Sequence, residues 1–189
     1  MLQTHSADDS IFDIHGYRLN VGILLVNKKN QVFFARRAGG YDAWQLPQGG
    51  MRAGEDSLAT ALRELFEETG ISSDRVEVLG VSKSYRSYRL PSRYRRRHRK
   101  MEVQCLGQKQ RWYLMRYIHP DDADISVRAV PHPEFDAWQW VDYWFPLQKV
   151  VHFKYEVYRS VLQEFAPLLQ IKTPPPAPLP LRQKQKKLS

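Results

Sequence analysis

Cysteine is nearly absent from this chain: 189 residues hold one, Cys105. A lone thiol excludes an internal disulfide and fits a reducing, cytoplasmic setting. Long apolar runs are missing as well. The longest compact one, Val21 to Val26, is far shorter than the roughly 20 residues a membrane-spanning helix needs, so no membrane partner is expected. The opening MLQTHSADDS has neither a basic start nor an apolar stretch, and no secretory signal is expected there. No internal repeat is visible. Acid is in deficit, with 20 Asp and Glu against 29 Lys and Arg and a net charge of +9. That balance favours polyanionic partners such as nucleic acids and nucleotides.

What is present argues for one folded domain with flexible ends. The hydrophobic fraction is 42% and there are five tryptophans, which excludes a wholly disordered chain. Residues 1–10 read as a flexible N-terminus and 11–170 as the domain. Residues 171–189 read as a disordered tail, because they carry five prolines, five Lys or Arg and no aromatic residue. That tail serves solubility or tethers RNA. A second basic block, Arg93 to Lys100, contains six cations with Tyr94 and His98 between them, and reads as a surface loop.

Alternation predicts strands at Tyr17–Val26, Gln31–Ala35, Arg75–Tyr85, Gln108–Tyr117 and Trp138–Val141, with a turn at Lys28–Asn30. Two helices are expected. The first spans Ser57–Thr69, closed by Gly70. The second follows Pro146 and carries Val151, Tyr155, Tyr158, Val161, Leu162, Phe165 and Leu169 at helical spacing. Two helices and a mixed sheet imply an α/β sandwich.

The informative stretch is Gly49 to Ile71, GGMRAGEDSLATALRELFEETGI. Leu58, Ala61, Leu62 and Leu65 form one stripe of the first helix, to be packed on the sheet. Glu64, Glu67 and Glu68 share another face. Like charges at this spacing destabilise a helix, and a cation among them removes the conflict. Hard divalent ions such as Mg²⁺ take carboxylate oxygens and keep waters for a phosphate substrate. Arg63, four residues before Glu67, can restrain that carboxylate. The bland alternative is a solvated acidic face.

The flanking spacing decides between them. Gly49, Glu55, Arg63-Glu64, Glu67-Glu68 and Gly70 match the Nudix box at every defining position. Seven fixed residues at roughly 7% usage each put a chance match on the order of one in a hundred million per window. The chain therefore resembles the Nudix hydrolases. The resemblance implies an α/β/α sandwich with a mixed β-sheet, and metal-assisted attack of water on a phosphoanhydride. It extends further, through Gly16-Tyr17-Arg18, Ala35-Arg36-Arg37, Trp44-Gln45, Pro47-Gln48-Gly49-Gly50, Gly107-Gln108-Lys109-Gln110, Pro133-Glu134-Phe135-Asp136 and Phe153-Lys154. Over about Gly16 to Phe165 the chain is similar to the bacterial RNA pyrophosphohydrolase family. Leu19 departs from it, standing where proline usually follows Gly-Tyr-Arg.

That family's activity is hydrolysis of the 5′-triphosphate or diphosphate end of RNA to a monophosphate, which promotes RNA degradation. The same subfamily includes diadenosine polyphosphate hydrolases, and a non-catalytic RNA-binding module is the remote alternative. The resemblance implies metal binding by Glu64, Glu67, Glu68 and Glu134, with Mg²⁺ first and Mn²⁺ or Zn²⁺ as alternatives. Glu64, Glu68 and Glu134 are its catalytic candidates, and the base is Glu64 or Glu134. Glu134 is otherwise an exposed loop acid. Arg18, Arg37 and Lys154 match positions near the phosphates, with surface ion pairing as the alternative. Gln48 and Tyr88 join them as binding candidates. Phe153 stacks on the first or second base, or belongs to the core. Gly49, Glu55, Arg63 and Gly70 are structural, with Glu55 bonding loop amides. The tryptophans are core or cleft wall, the six histidines lack metal spacing, and Cys105 lacks a base partner. No obligate protein partner is evident.

Overall fold

A computed structural model describes residues 11–39, 42–95, 97–98, 103–123, 125–128 and 133–172. The N-terminal stretch 1–10, residues 173–189 of the basic tail and Arg96, Arg99 and Lys100 of the second basic block lie outside the described residues. The strands are β1 (Tyr17–Val26), β2 (Val32–Arg37), β3 (Trp44–Gln45) and β4 (Gln48–Gly50), then helix α1 (Ser57–Thr69). They are followed by β5 (Val76–Val81), β6 (Arg86–Arg89), β7 (Arg97–His98), β8 (Val103–Gln104), β9 (Gly107–Tyr117) and β10 (Phe135–Val141). Helices α2 (Pro146–Lys149) and α3 (Tyr155–Phe165) close the domain. Among the described residues no helix is long and apolar enough to cross a membrane.

The sheet order is β10-β2-β1-β9-β5, with β3 beside β2, β4 beside β1 and β6 beside β9. β1 and β9 run parallel from Tyr17↔Gly107 to Val26↔Arg116, and the other pairs are antiparallel, so the sheet is mixed. β1 is buried from Asn20 through Val26 because both of its faces are covered. On one face Leu24, Val26, Phe34, Trp112 and Leu114 pack against Val157, Tyr158, Val161, Leu162 and Phe165 of α3. On the other, Val21, Ile23, Leu25, Phe33 and Met115 pack against Ala61 and Leu65 of α1. This is the expected α/β/α sandwich with a mixed sheet.

Local chemistry sets α1. The Asp56 carboxylate accepts the Leu58 and Ala59 N–H groups at 2.8 and 2.9 Å, a cap of about 1 kcal/mol. Gly70, at φ 74°, ends the helix in the left-handed region and donates to the Phe66 carbonyl. Several expectations need correction. Leu58 is 38% exposed and leaves the packed stripe, while Glu68 enters the interior. The second helix is broken. Val150 and Val151 are extended, a 3₁₀ turn covers His152–Lys154, and α3 starts at Tyr155. Val151 is exposed; its helical spacing to Tyr155 is coincidental. The Arg75–Tyr85 run ends as a strand at Val81, and Arg86–Arg89 forms a separate one. Strand β2 reaches Arg37 and β10 begins at Phe135, both beyond their expected bounds. Arg97–His98 of the Arg93–Lys100 block form β7, which pairs antiparallel with β8, so the block is not only a loop.

Candidate active site

α1 carries its carboxylates on the side that faces β4. Gly49 of β4 lies against Glu64: a Cβ at residue 49 would sit 1.7 Å from the Glu64 carboxyl carbon. Only glycine admits the carboxylate there. Arg63 ties the helix to the loop before it. Its Nε and Nη2 donate to the two Glu55 oxygens at 2.7 and 2.9 Å, and Nη2 also donates to the Gly50 carbonyl at 3.0 Å. Its Nη1 donates to Glu64 at 2.7 Å and Glu67 at 3.2 Å. The fork therefore offsets the repulsion between the helical acids. Glu55 receives one loop amide, that of Arg52 at 3.2 Å, but its main partner is Arg63, which holds its carboxyl down to about 2.

Glu68 is 5% exposed. One oxygen accepts the Gln48 N–H at 3.0 Å; the other, Oε1, is buried with no hydrogen-bond partner. Burial pushes its carboxyl well up, and the charges of Glu134 and Glu64 push it further. Burial also raises Glu64, with Arg63 opposing. Glu134 immediately precedes β10, where the register against β2 shifts between Phe135 and Ala137, an irregularity that re-aims the chain. Its carbonyl accepts the Ala38 N–H, and its carboxylate meets Gln45 Nε2 at 3.3 Å and Arg37 Nη2 at 3.5 Å. Among the described residues no three acidic, histidine or cysteine side chains are gathered into a ready cation cage. The donor chemistry nonetheless fits a hard divalent cation: a buried carboxylate oxygen without a partner, destabilised by two neighbouring acids.

On the α3 side of the sheet lies a cleft of about 440 Å³, with Arg37, Gln48, Arg93, Tyr94, Phe153 and Lys154 among its walls. Gln48 connects it to the carboxylates. Its N–H holds Glu68, while its side-chain oxygen accepts Lys154 Nζ at 3.0 Å and Gln110 Nε2 at 3.1 Å. Lys154 is 6% exposed and, among the described residues, makes no surface ion pair, against the alternative considered for it. It also donates to Gln45 at 3.1 Å, and burial pushes its amine down to about 8. Arg37 is exposed and pairs with Glu134. Phe153 is half-buried, with its centroid 5.6 Å from Tyr88 and 6.1 Å from Tyr94, so it lines the cleft and also touches the core.

Arg18 lies over Gly50, with a buried Nε that has no hydrogen-bond partner. Tyr88 is buried and its hydroxyl donates to Gln108, so it is cleft wall and not an exposed platform. Sequence reasoning missed Gln45, Gln108 and Gln110 as site residues. Each lay inside a matched stretch, but an uncharged amide carries no signal of its own. Arg93 and Tyr94 were hidden within the basic block.

A mixed sheet with acids on one side, cations on the other and a glutamine between them defines an α/β/α hydrolase suited to clustered phosphate charge. The model of the NUDIX domain family matches residues 16–165, and the chain belongs to the Nudix family. It is a hydrolase of phosphoanhydride bonds, and Nudix hydrolases in general need a divalent metal cation. The chain is 48% identical over 164 residues to an RNA pyrophosphohydrolase of Methylococcus capsulatus, covering 87% of this chain and 84% of that one. It is 48% identical over 158 residues to the RNA pyrophosphohydrolase of Saccharophagus degradans, covering 84% and 91%. In fold it resembles the Escherichia coli dihydroneopterin triphosphate pyrophosphohydrolase, with a TM-score of 0.60 at 17% identity over 77% of this chain and 95% of that one.

Proposed function

We propose that the protein is an RNA 5′-pyrophosphohydrolase. It converts the 5′-triphosphate or diphosphate end of RNA to a 5′-monophosphate, releases pyrophosphate or phosphate, and so exposes transcripts to degradation in the cytoplasm. The RNA substrate follows the relatives named above. The observation that carries the chemistry is the unpartnered, buried Glu68 oxygen, joined through Gln48 to the cationic cleft.

A divalent cation, Mg²⁺ before Mn²⁺ or Zn²⁺, held by Glu64, Glu67, Glu68 and Glu134, would neutralise phosphate charge and acidify a bound water. Glu64 or Glu134 accepts the proton of the attacking water. Arg37 and Lys154 meet the phosphate oxygens: the guanidinium can bond two at once, while the ammonium acts as a point charge. Arg18, which lies over Gly50 of β4, adds positive charge beside that strand. Phe153, beside Tyr94, offers a ring to the first or second base. Gln48 and Gln45 hold Lys154 in place.

With Mg²⁺, the enzyme should turn a 5′-triphosphorylated oligoribonucleotide into one that a monophosphate-dependent exonuclease degrades. Chelation should stop this. Glu64→Gln should lower turnover by on the order of a hundredfold, with RNA affinity little changed. A variant that keeps more than about half of the parent turnover would remove Glu64 from the chemistry.

A further inference from the structure

Strand β6 has two faces. Tyr88 turns its ring into the cleft wall, whereas Tyr85, just before the strand, and Ser87 and Arg89 are exposed. The antiparallel register sets Ser87 opposite Lys109 and Arg86 opposite Gln110 of β9, and Tyr85 immediately precedes these pairs. Lys109 Nζ lies 5.8 Å and Arg111 Cζ 5.7 Å from the centroid of the Tyr85 ring, which belongs to a residue 39% exposed. Both cations are held in place. Arg111 donates to the Lys83 carbonyl at 3.3 Å, and Lys109 pairs with Asp13 at 3.2 Å. Lys83 and Arg89 are exposed as well, and the Glu164 carboxylate accepts the Lys83 N–H at 2.6 Å. Two fixed cations thus flank an exposed ring on the β6–β9 strand pair, with Asp13 the acid bonded to one of them.

An exposed ring with fixed cations around it is what single-stranded nucleic acid needs: a face for a base and charge for its phosphates. An acidic polypeptide would use the charge but leave the ring without a partner. Among the described residues β6 pairs with β9 alone, so a chain leaving the cleft past Arg93 and Tyr94 can cross its open edge.

We propose that Tyr85, Lys109 and Arg111 form a second RNA contact, which takes the single-stranded substrate downstream of the nucleotides held in the cleft. This rests on the RNA reading above. The contact adds affinity for long substrates and does no chemistry.

Kinetics on 5′-triphosphorylated RNA of two lengths, a trinucleotide and a single strand of about 20 nucleotides, test it with Tyr85→Ser/Arg111→Gln. KM for the long RNA should rise about tenfold, because a base no longer stacks and a cation is gone. Its salt dependence should become shallower by about 0.7, since the phosphate that Arg111 neutralises then keeps its counterions. Both constants for the trinucleotide should stay at the parent values. Tyr85→Phe/Arg111→Lys, which keeps ring and charge, should restore the long-RNA KM. If the first double variant melts below the parent, Tyr85→Ser alone repeats the comparison at an exposed residue. An unchanged long-RNA KM overturns the proposal, and so does an equal rise for both lengths. A parent enzyme that hydrolyses diadenosine tetraphosphate but neither RNA overturns the RNA reading itself, and this contact with it.

Discussion

Lys154 sets the pH range of the cleft. Its amine is pushed down to about 8 by burial first and by the nearby Arg37, with Glu134 and Glu68 pulling the other way. Below that pH it is a cation able to meet phosphate; above it the cation is lost. The ratio kcat/KM reports the free enzyme, so for triphosphorylated RNA it should fall above pH 8 by about a decade per unit. Lys154→Arg, charged throughout, should carry that limb out of the measured range. A flat profile to about pH 9.5 in the parent enzyme would contradict this role. Sequence marked Lys154 as a cation at a matched position. Its burial was not legible, because it depends on Gln45 and Gln48, which lie 109 and 106 residues away. The spacing likewise exposed Gly49 and Glu64 as a pair of motif residues, but not that one lies against the other.

Among the elements, the bounds of α1 were legible, since its stop and its acids are local signals, but the exposure of Leu58 and the burial of Glu68 were not. The α3 region was not: a helical period continued back through Val151 by coincidence, and only packing shows where the helix begins. Arg63 shows the same divide. Its reach to Glu67 follows from helical spacing, whereas its bonds to Glu55 and Gly50 exist because the preceding loop folds back. Lysine cannot bridge that loop and the helix with one ammonium. Arg63→Lys should therefore lower the melting temperature by about 5 °C, equivalent to about 1–2 kcal/mol in a chain of this size. Turnover should fall as well, because Glu64 and Glu67 lose their anchor. A thermal scan that matches the parent would show that the fork does not stabilise the fold.

For the whole molecule, one sheet separates two cores and places the acids of α1 and the cleft on its opposite sides, with β4 between them and Glu134 reaching Arg37 and Gln45 of the cleft wall. The sandwich was legible once the box was found, but the side on which the cleft lies was not. The polar contacts that join the two sides were not, because they cross the sheet. Among the described residues the last buried one is Leu169, and Ile171 is partly buried against the same core. Deleting residues 173–189 should leave the melting temperature unchanged, since nothing in their composition builds a core. A lost melting transition would move the domain boundary beyond residue 170. The central claim concerns the substrate. It is tested most directly by kcat/KM for 5′-triphosphorylated RNA and for diadenosine tetraphosphate, measured with the same enzyme at the same Mg²⁺ concentration. The cleft, with its cations, its ring and the basic surface around it, predicts a preference for RNA of about tenfold or more. A preference for the dinucleotide would contradict it.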